Sequence, residues 1–97
     1  MTNKYLKEQL TYLIQDEDDL NRIAVLEGDE FADGCVGVTL DNHLVYSYDK
    51  LIESLSKNMK CSVEDAAEYL DYNTIPALPY ITNRGLLEPI IIRELDH

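Results

Sequence analysis

Ninety-seven residues carry nineteen acidic side chains against eight basic ones, a formal net charge of −11. A negative field of that strength repels DNA, RNA and anionic membranes and speeds encounter with basic protein surfaces, so direct nucleic-acid binding is not expected. The 45% hydrophobic content is ordinary for a folded chain, and the length suits one domain over residues 1–97.

Thr2 is placed to cap a helix predicted over 3–15, with Leu6, Leu10 and Leu13 at helical spacing and Tyr5 and Ile14 widening the stripe. The four consecutive acids at 16–19 then break the pattern, since like charges in a row seek solvent. Residues 22–26 are apolar and partly β-branched, which predicts a short strand, and 27–34 read as an acidic, glycine-containing loop. Alternation over 35–40, with Val36, Val38 and Leu40 on one face, and over 44–48, with Leu44, Tyr46 and Tyr48 in phase, flanks an Asp-Asn-His turn and predicts a β-hairpin.

Asp49 is the expected cap of the next helix, in which Leu51, Ile52, Leu55 and Met59 recur at helical spacing. Ser62 followed by Asp65 resembles a capping box and opens a second helix through Val63, Ala66, Ala67 and Leu70. Two short helices in succession predict an αα-hairpin, which the small alanines allow to pack closely. From Asn73 onward Pro76, Pro79 and Pro89 argue against further helix, and Ile90, Ile91 and Ile92 predict a buried last strand. The expected class is therefore α+β: a small antiparallel sheet with an N-terminal helix and an αα-hairpin.

No constellation points to catalysis. Residues 16–27 have the length of a calcium loop, but Leu20, Asn21 and Ala24 occupy positions that need a ligand, a glycine and a ligand. Cys35 and Cys61 share no metal-ligand spacing and read as small buried residues, with a disulfide the lesser alternative. Neither His43, in a turn, nor His97, at the end of the sequence, has a nucleophile beside it, and the four glycines form no phosphate cradle. No cofactor, metal or enzymatic activity is expected. Residues 1–10 lack the apolar stretch of a signal peptide and the longest apolar run, 89–92, is too short to span a bilayer, so the expected location is the cytoplasm.

The second helix of the αα-hairpin offers more. Opposite its apolar side Glu64, Glu68 and Asp71 fall in one stripe, with Asp65, Tyr69 and Tyr72 in another beside it. Carboxylates spaced along tyrosines suit clusters of Arg and Lys, although the same residues also serve a helix dipole and a core edge. The seven tyrosines, beside one Phe and no Trp, suit either an interface or a partly exposed core. The expected contact face is Glu64, Asp65, Glu68, Tyr69, Asp71 and Tyr72, with Asp16, Asp18 and Asp19 as a second set.

Val45-Tyr46, Tyr48-Asp49-Lys50, the helix containing Glu64, Ala66 and Ala67, the run Asp71-Tyr72-Asn73-Thr74-Ile75, then Ala77-Leu78-Pro79-Tyr80 and Pro89-Ile90-Ile91 form a pattern. It resembles a family of small acidic proteins encoded by phages and prophages of Gram-positive and related bacteria. The resemblance covers about half the chain, from the hairpin onward, and departs from the family at Pro76, where a non-proline, often basic, residue is usual. It implies a viral origin more than a mechanism. With the charge, it leads to the expectation of a phage protein that binds and inhibits or modulates a host protein. A basic, nucleic-acid-handling or defence protein such as a CRISPR nuclease is the favoured target, on the likeness in size and charge to known inhibitors. The alternative is an accessory or homo-oligomeric structural component, a homodimer for instance, whose acidity serves only solubility and which joins through the exposed side of the hairpin around Leu44 and Tyr46.

Overall fold

The N-terminal helix α1 (Asn3–Leu13) begins where the Thr2 hydroxyl accepts the Tyr5 N–H. The computed structural model describes residues 1–95, with the backbone alone described at 81–83. Leu6, Leu10 and Ile14 are buried, while Leu13, expected in the same stripe, faces solvent.

The acidic run is a helix start rather than a linker. Asp16 accepts the N–H groups of Asp18 and Asp19 at 2.9 and 3.3 Å and opens α2 (Glu17–Arg22). Three acids occupy the positive end of its dipole and Arg22 the negative end, so the repulsion is offset. The strand expected at 22–26 is reduced to one parallel bridge between Ile23 and Leu87, because the Leu26 N–H turns inward to a side chain instead of a ladder. Within the expected loop, Asp29–Ala32 form a one-turn helix, α3, entered through Gly28 at φ +107°. Ties from both sides hold it: the Asn3 N–H donates to Asp29, and the Ser54 hydroxyl donates to the Glu30 carbonyl.

The hairpin forms as β1 (Cys35–Val38) and β2 (Leu44–Ser47), antiparallel, with a bulge between Cys35 and Gly37. The bulge changes the phase. Cys35 faces Tyr46 and Val38 faces Leu44, so Cys35 and Val38 share the core side, whereas Val36 and Leu40 are exposed. Ser47 ends β2 and also caps α4 (Tyr48–Met59) by accepting the Lys50 N–H, so Asp49 lies inside the first turn and is not the cap. Lys60, in the left-handed region at φ +54°, ends α4, and Ser62 accepts the Asp65 N–H to start α5 (Val63–Tyr69). The two helices pack together as expected, with Leu51, Leu55, Ala66 and Leu70 in the shared core.

Helical winding continues past Asn73. A π turn (Leu70–Thr74), closed by the Ile75 N–H on the Leu70 carbonyl, leads into a 3₁₀ turn (Ile75–Ala77) and then α6 (Leu78–Asn83). Pro76 and Pro79 each stand in the first turn of a restarted segment, where the missing N–H has no intrahelical partner to lose, while Pro89 lies in the non-helical segment before the last strand. The last strand, β3 (Ile90–Ile92), pairs in parallel with β2, giving the order β1-β2-β3. It is an edge strand rather than a buried one: Ile91 lies beside Tyr46 and packs on the core, while Ile90 and Ile92 are partly exposed. The α+β class holds, with one parallel pairing in the sheet.

Tyr46, fully buried on central strand β2, joins the two halves, its phenol oxygen accepting the Leu26 N–H at 3.2 Å. Burial pushes its pKa from 10 up to about 12. Gly34 sits against α4, where an added Cβ would meet Leu51 Cδ2 at 2.4 Å.

Three outcomes follow for chemical denaturation. Gly34→Ala should cost about 1–3 kcal/mol by overpacking the buried Leu51, whereas Gly37→Ala, with nothing within 4 Å of the new Cβ, should stay within about 0.5 kcal/mol. Tyr46→Phe should cost about 1–3 kcal/mol by leaving the Leu26 N–H unpaired. Because folding favours the neutral phenol, the stability Tyr46 confers is complete below pH 10 and lost as pH rises toward about 12. The wild type should therefore lose about 2–3 kcal/mol more than Tyr46→Phe across that window.

Candidate functional site

Glu64, Asp65, Glu68 and Tyr69 lie on α5, and Asp71 and Tyr72 on the π turn that extends it, all six exposed. Ser62 anchors the start of this ridge, and buried Ala66 and Leu70 hold its inner side. Glu64 and Glu68, four residues apart on one helix, share a face. Tyr72 is the most open aromatic of the group at 75% exposure, with Tyr69 at 41%.

The π turn changes the position of the last acid. A continuous α-helix would carry Asp71 in line with Glu64 and Glu68, but a π turn closes i→i+5 hydrogen bonds and shifts the phase. The Tyr48 hydroxyl donates to Asp71 Oδ1 at 3.0 Å, which ties the ridge to the first turn of α4. Tyr48 is the residue that reading the sequence missed: its partner lies 23 positions away and no local pattern connects them. Partial burial and the neighbouring Asp71 carboxylate raise the Tyr48 pKa, so the phenol keeps its proton and remains the donor.

Among the described residues, no lysine, arginine or histidine forms an ion pair with Glu64, Asp65, Glu68 or Asp71. Lys50 and Lys57 instead pair with Glu94 and Glu53. The charge of the ridge is thus not offset by a direct ion pair, although the Arg93 guanidinium acts on Tyr48 beside Asp71. The second acidic set stands on another element, where Asp16 is occupied as the α2 cap and Asp18 and Asp19 serve the same helix end. Its place in the structure is that of a cap and dipole partner for α2.

A concavity of about 540 Å³ lies between α3 and α4, with Asp29, Glu30 and Asp33 facing Lys50, Glu53 and Lys57. Neither cysteine, His43 nor any ridge residue lines it. Among the described residues no three His, Cys, Asp or Glu side chains converge as a metal-binding group. Cys35 and Cys61 are free thiols. Cys35 pairs across the sheet with Tyr46, three residues along β2 from His43 and so about 10 Å away at the usual strand rise. The His43 ring is occupied elsewhere: Nδ1–H donates to the Glu88 carbonyl at 2.7 Å, and Nε2 lies 3.9 Å from Asp41. His97 lies outside the described residues. No helix of the described residues is long and apolar enough to cross a membrane.

Leu44 and Tyr46, around which the exposed side of the hairpin is expected to join copies of the chain, are themselves fully buried and belong to the core side of the sheet. Comparison with protein-family models, curated proteins and solved structures finds no match to this chain.

Burial pushes the Cys35 thiol up from its ordinary pKa, which lowers its thiolate fraction at neutral pH. Iodoacetamide should therefore modify Cys35 more slowly than it modifies an unstructured cysteine peptide, read by mass spectrometry over time. A rate above the peptide's would show an activated nucleophile that the structure gives no reason to expect.

Proposed function

We propose that this chain is a phage-derived interaction protein that binds a basic surface of a host protein and inhibits or modulates it. The contact face is the ridge of Glu64, Asp65, Glu68, Tyr69, Asp71 and Tyr72. The observation that carries this reading is the exposure of four carboxylates beside two open tyrosines, with no cation paired to them among the described residues.

A convex acidic ridge complements a concave basic groove, and grooves of that kind belong to proteins that hold phosphate backbones. A nucleic-acid-handling or defence protein, a CRISPR nuclease among them, is thus the favoured target. Tyr69 and Tyr72 add apolar area with a polar tip, and their rings suit the flat guanidinium of arginine. Asp16, Asp18 and Asp19 on α2 would add long-range attraction rather than direct contact. The expected setting is the cytoplasm of the host cell, without a cofactor.

Capture from bacterial lysate, washed at low and then high salt and identified by mass spectrometry, should recover a basic nucleic-acid-handling protein that salt releases. Glu64→Gln with Glu68→Gln should weaken its binding about tenfold or more, whereas Glu8→Gln with Glu27→Gln should leave it nearly unchanged. Tyr72→Ala should weaken binding without moving the unfolding midpoint, since the side chain is exposed. Equal losses from both pairs of charge variants would sink the proposed face.

A further inference from the structure

A second surface lies along the outer edge of β1. Among the described residues the strand pairs with β2 alone, so its other side is an open edge. The Thr39 N–H donates to the His43 carbonyl at 2.8 Å across the hairpin. By the alternation of an antiparallel ladder, Val38 and Leu44 then form a non-hydrogen-bonded pair, and the Val38 N–H and C=O point away from β2. Between this edge and α1 runs a groove of about 120 Å³, with Leu6, Leu10 and Leu13 on the helix side and Cys35, Val36 and Val38 on the strand side.

No charged side chain lines the groove, in a chain whose net charge is −11. Leu13 is 69% exposed and Val36 39%, so two of its walls are apolar surface left open to water. The volume suits one aliphatic side chain and is far too small for a helix of roughly 10–12 Å diameter.

We propose that the groove between α1 and β1 takes an extended segment of a partner protein as a fourth strand, with one aliphatic side chain in the groove and a basic residue at the end beside Asp41. Asp41 follows β1 and is exposed, whereas Asp33, which precedes the strand, is already paired with the Met1 amino group. The net charge of −11 opposes a second copy of this chain and favours a basic segment in its place. The bulge between Cys35 and Gly37 keeps the available ladder short, which guards against open-ended stacking and favours a brief segment. Backbone pairing would supply affinity and the single pocket would supply selectivity. None of the lining residues belongs to α5 or the π turn, so this surface does not depend on the acidic ridge.

The test is a titration of the isotope-labelled full chain, followed by amide NMR shifts. The probe is a pool of short peptides with lysine at both ends and threonine alternating with valine, isoleucine or leucine between them. Binding members should shift the amides of Val36, Gly37 and Val38. Methylating alternate peptide nitrogens should weaken them about tenfold or more, as should Leu13→Gln, which leaves the unfolding midpoint in place because Leu13 is exposed. Replacing the terminal lysines with glutamate should abolish binding. The proposal is overturned if no member of the pool shifts β1, if the shifts fall only on α5 and the π turn, or if the methylated peptides bind equally well. Concentration-dependent β1 shifts in the chain alone, with a dimer's mass, would assign the edge to a second copy and overturn it as well.

Discussion

The phenol of Tyr46 is the constraint on which the rest of the chain is arranged. It stands on the central strand, with Cys35 of β1 on one side and Ile91 of β3 on the other, and its oxygen takes the Leu26 N–H inside the core. A buried amide without a partner is costly, so this one bond decides where the 23–26 segment runs and denies it a sheet ladder of its own. With Leu26 held there, the Asn3 side-chain amide can donate to the carbonyls of Leu26 and Gly28, and the Gly34 carbonyl accepts the Ser47 N–H. The N-terminal half is thus draped over β2 and α4 by polar ties at its turns, with α1, Phe31 and Leu26 supplying the apolar cover.

The acidic excess has two distinct uses. Asp16, Glu17, Asp18 and Asp19 on α2, Asp29 and Glu30 on α3, and Glu64 and Asp65 on α5 all stand at helix N-termini, where the dipole favours negative charge. Much of the charge that shapes the long-range field is therefore part of how short helices begin. Glu68 and Asp71 have no such duty. They lie beyond the first turn of α5, beside the two open tyrosines; Asp71 serves the fold through Tyr48, and the Glu68 side chain has no hydrogen bond or ion pair among the described residues. The bond from Tyr48 ties Asp71, and with it the end of the ridge, to the first turn of α4.

Local signals read correctly from the sequence are those whose partners lie within a turn of helix or hairpin. Thr2 and Ser62 cap the helices expected of them, and the Asp-Asn-His turn joins two strands. The acids at 16–19 were legible as charge but not as a cap, because a run of like charges and a helix start have the same composition. Pro76 and Pro79 misled for a related reason. Each forbids an interior helical position, but each is harmless in a first turn, and whether a turn restarts at that point depends on the π turn before it.

By itself the sequence determined the α+β class, the helix starts at Thr2 and Ser62, the hairpin, and a surface whose charge favours basic partners. These follow from composition and from contacts between near neighbours, which the chain specifies whatever its tertiary path. Only the tertiary structure decided the phase of β1, the parallel placement of β3, the burial of Leu44 and Tyr46, the brace from Tyr48 to Asp71, and the open edge beside α1. Each depends on groups far apart in sequence, 20 positions for Leu26 and Tyr46 and 23 for Tyr48 and Asp71. The energy that selects them is the desolvation of a polar group or the filling of a core, and neither exists until the chain has closed around it.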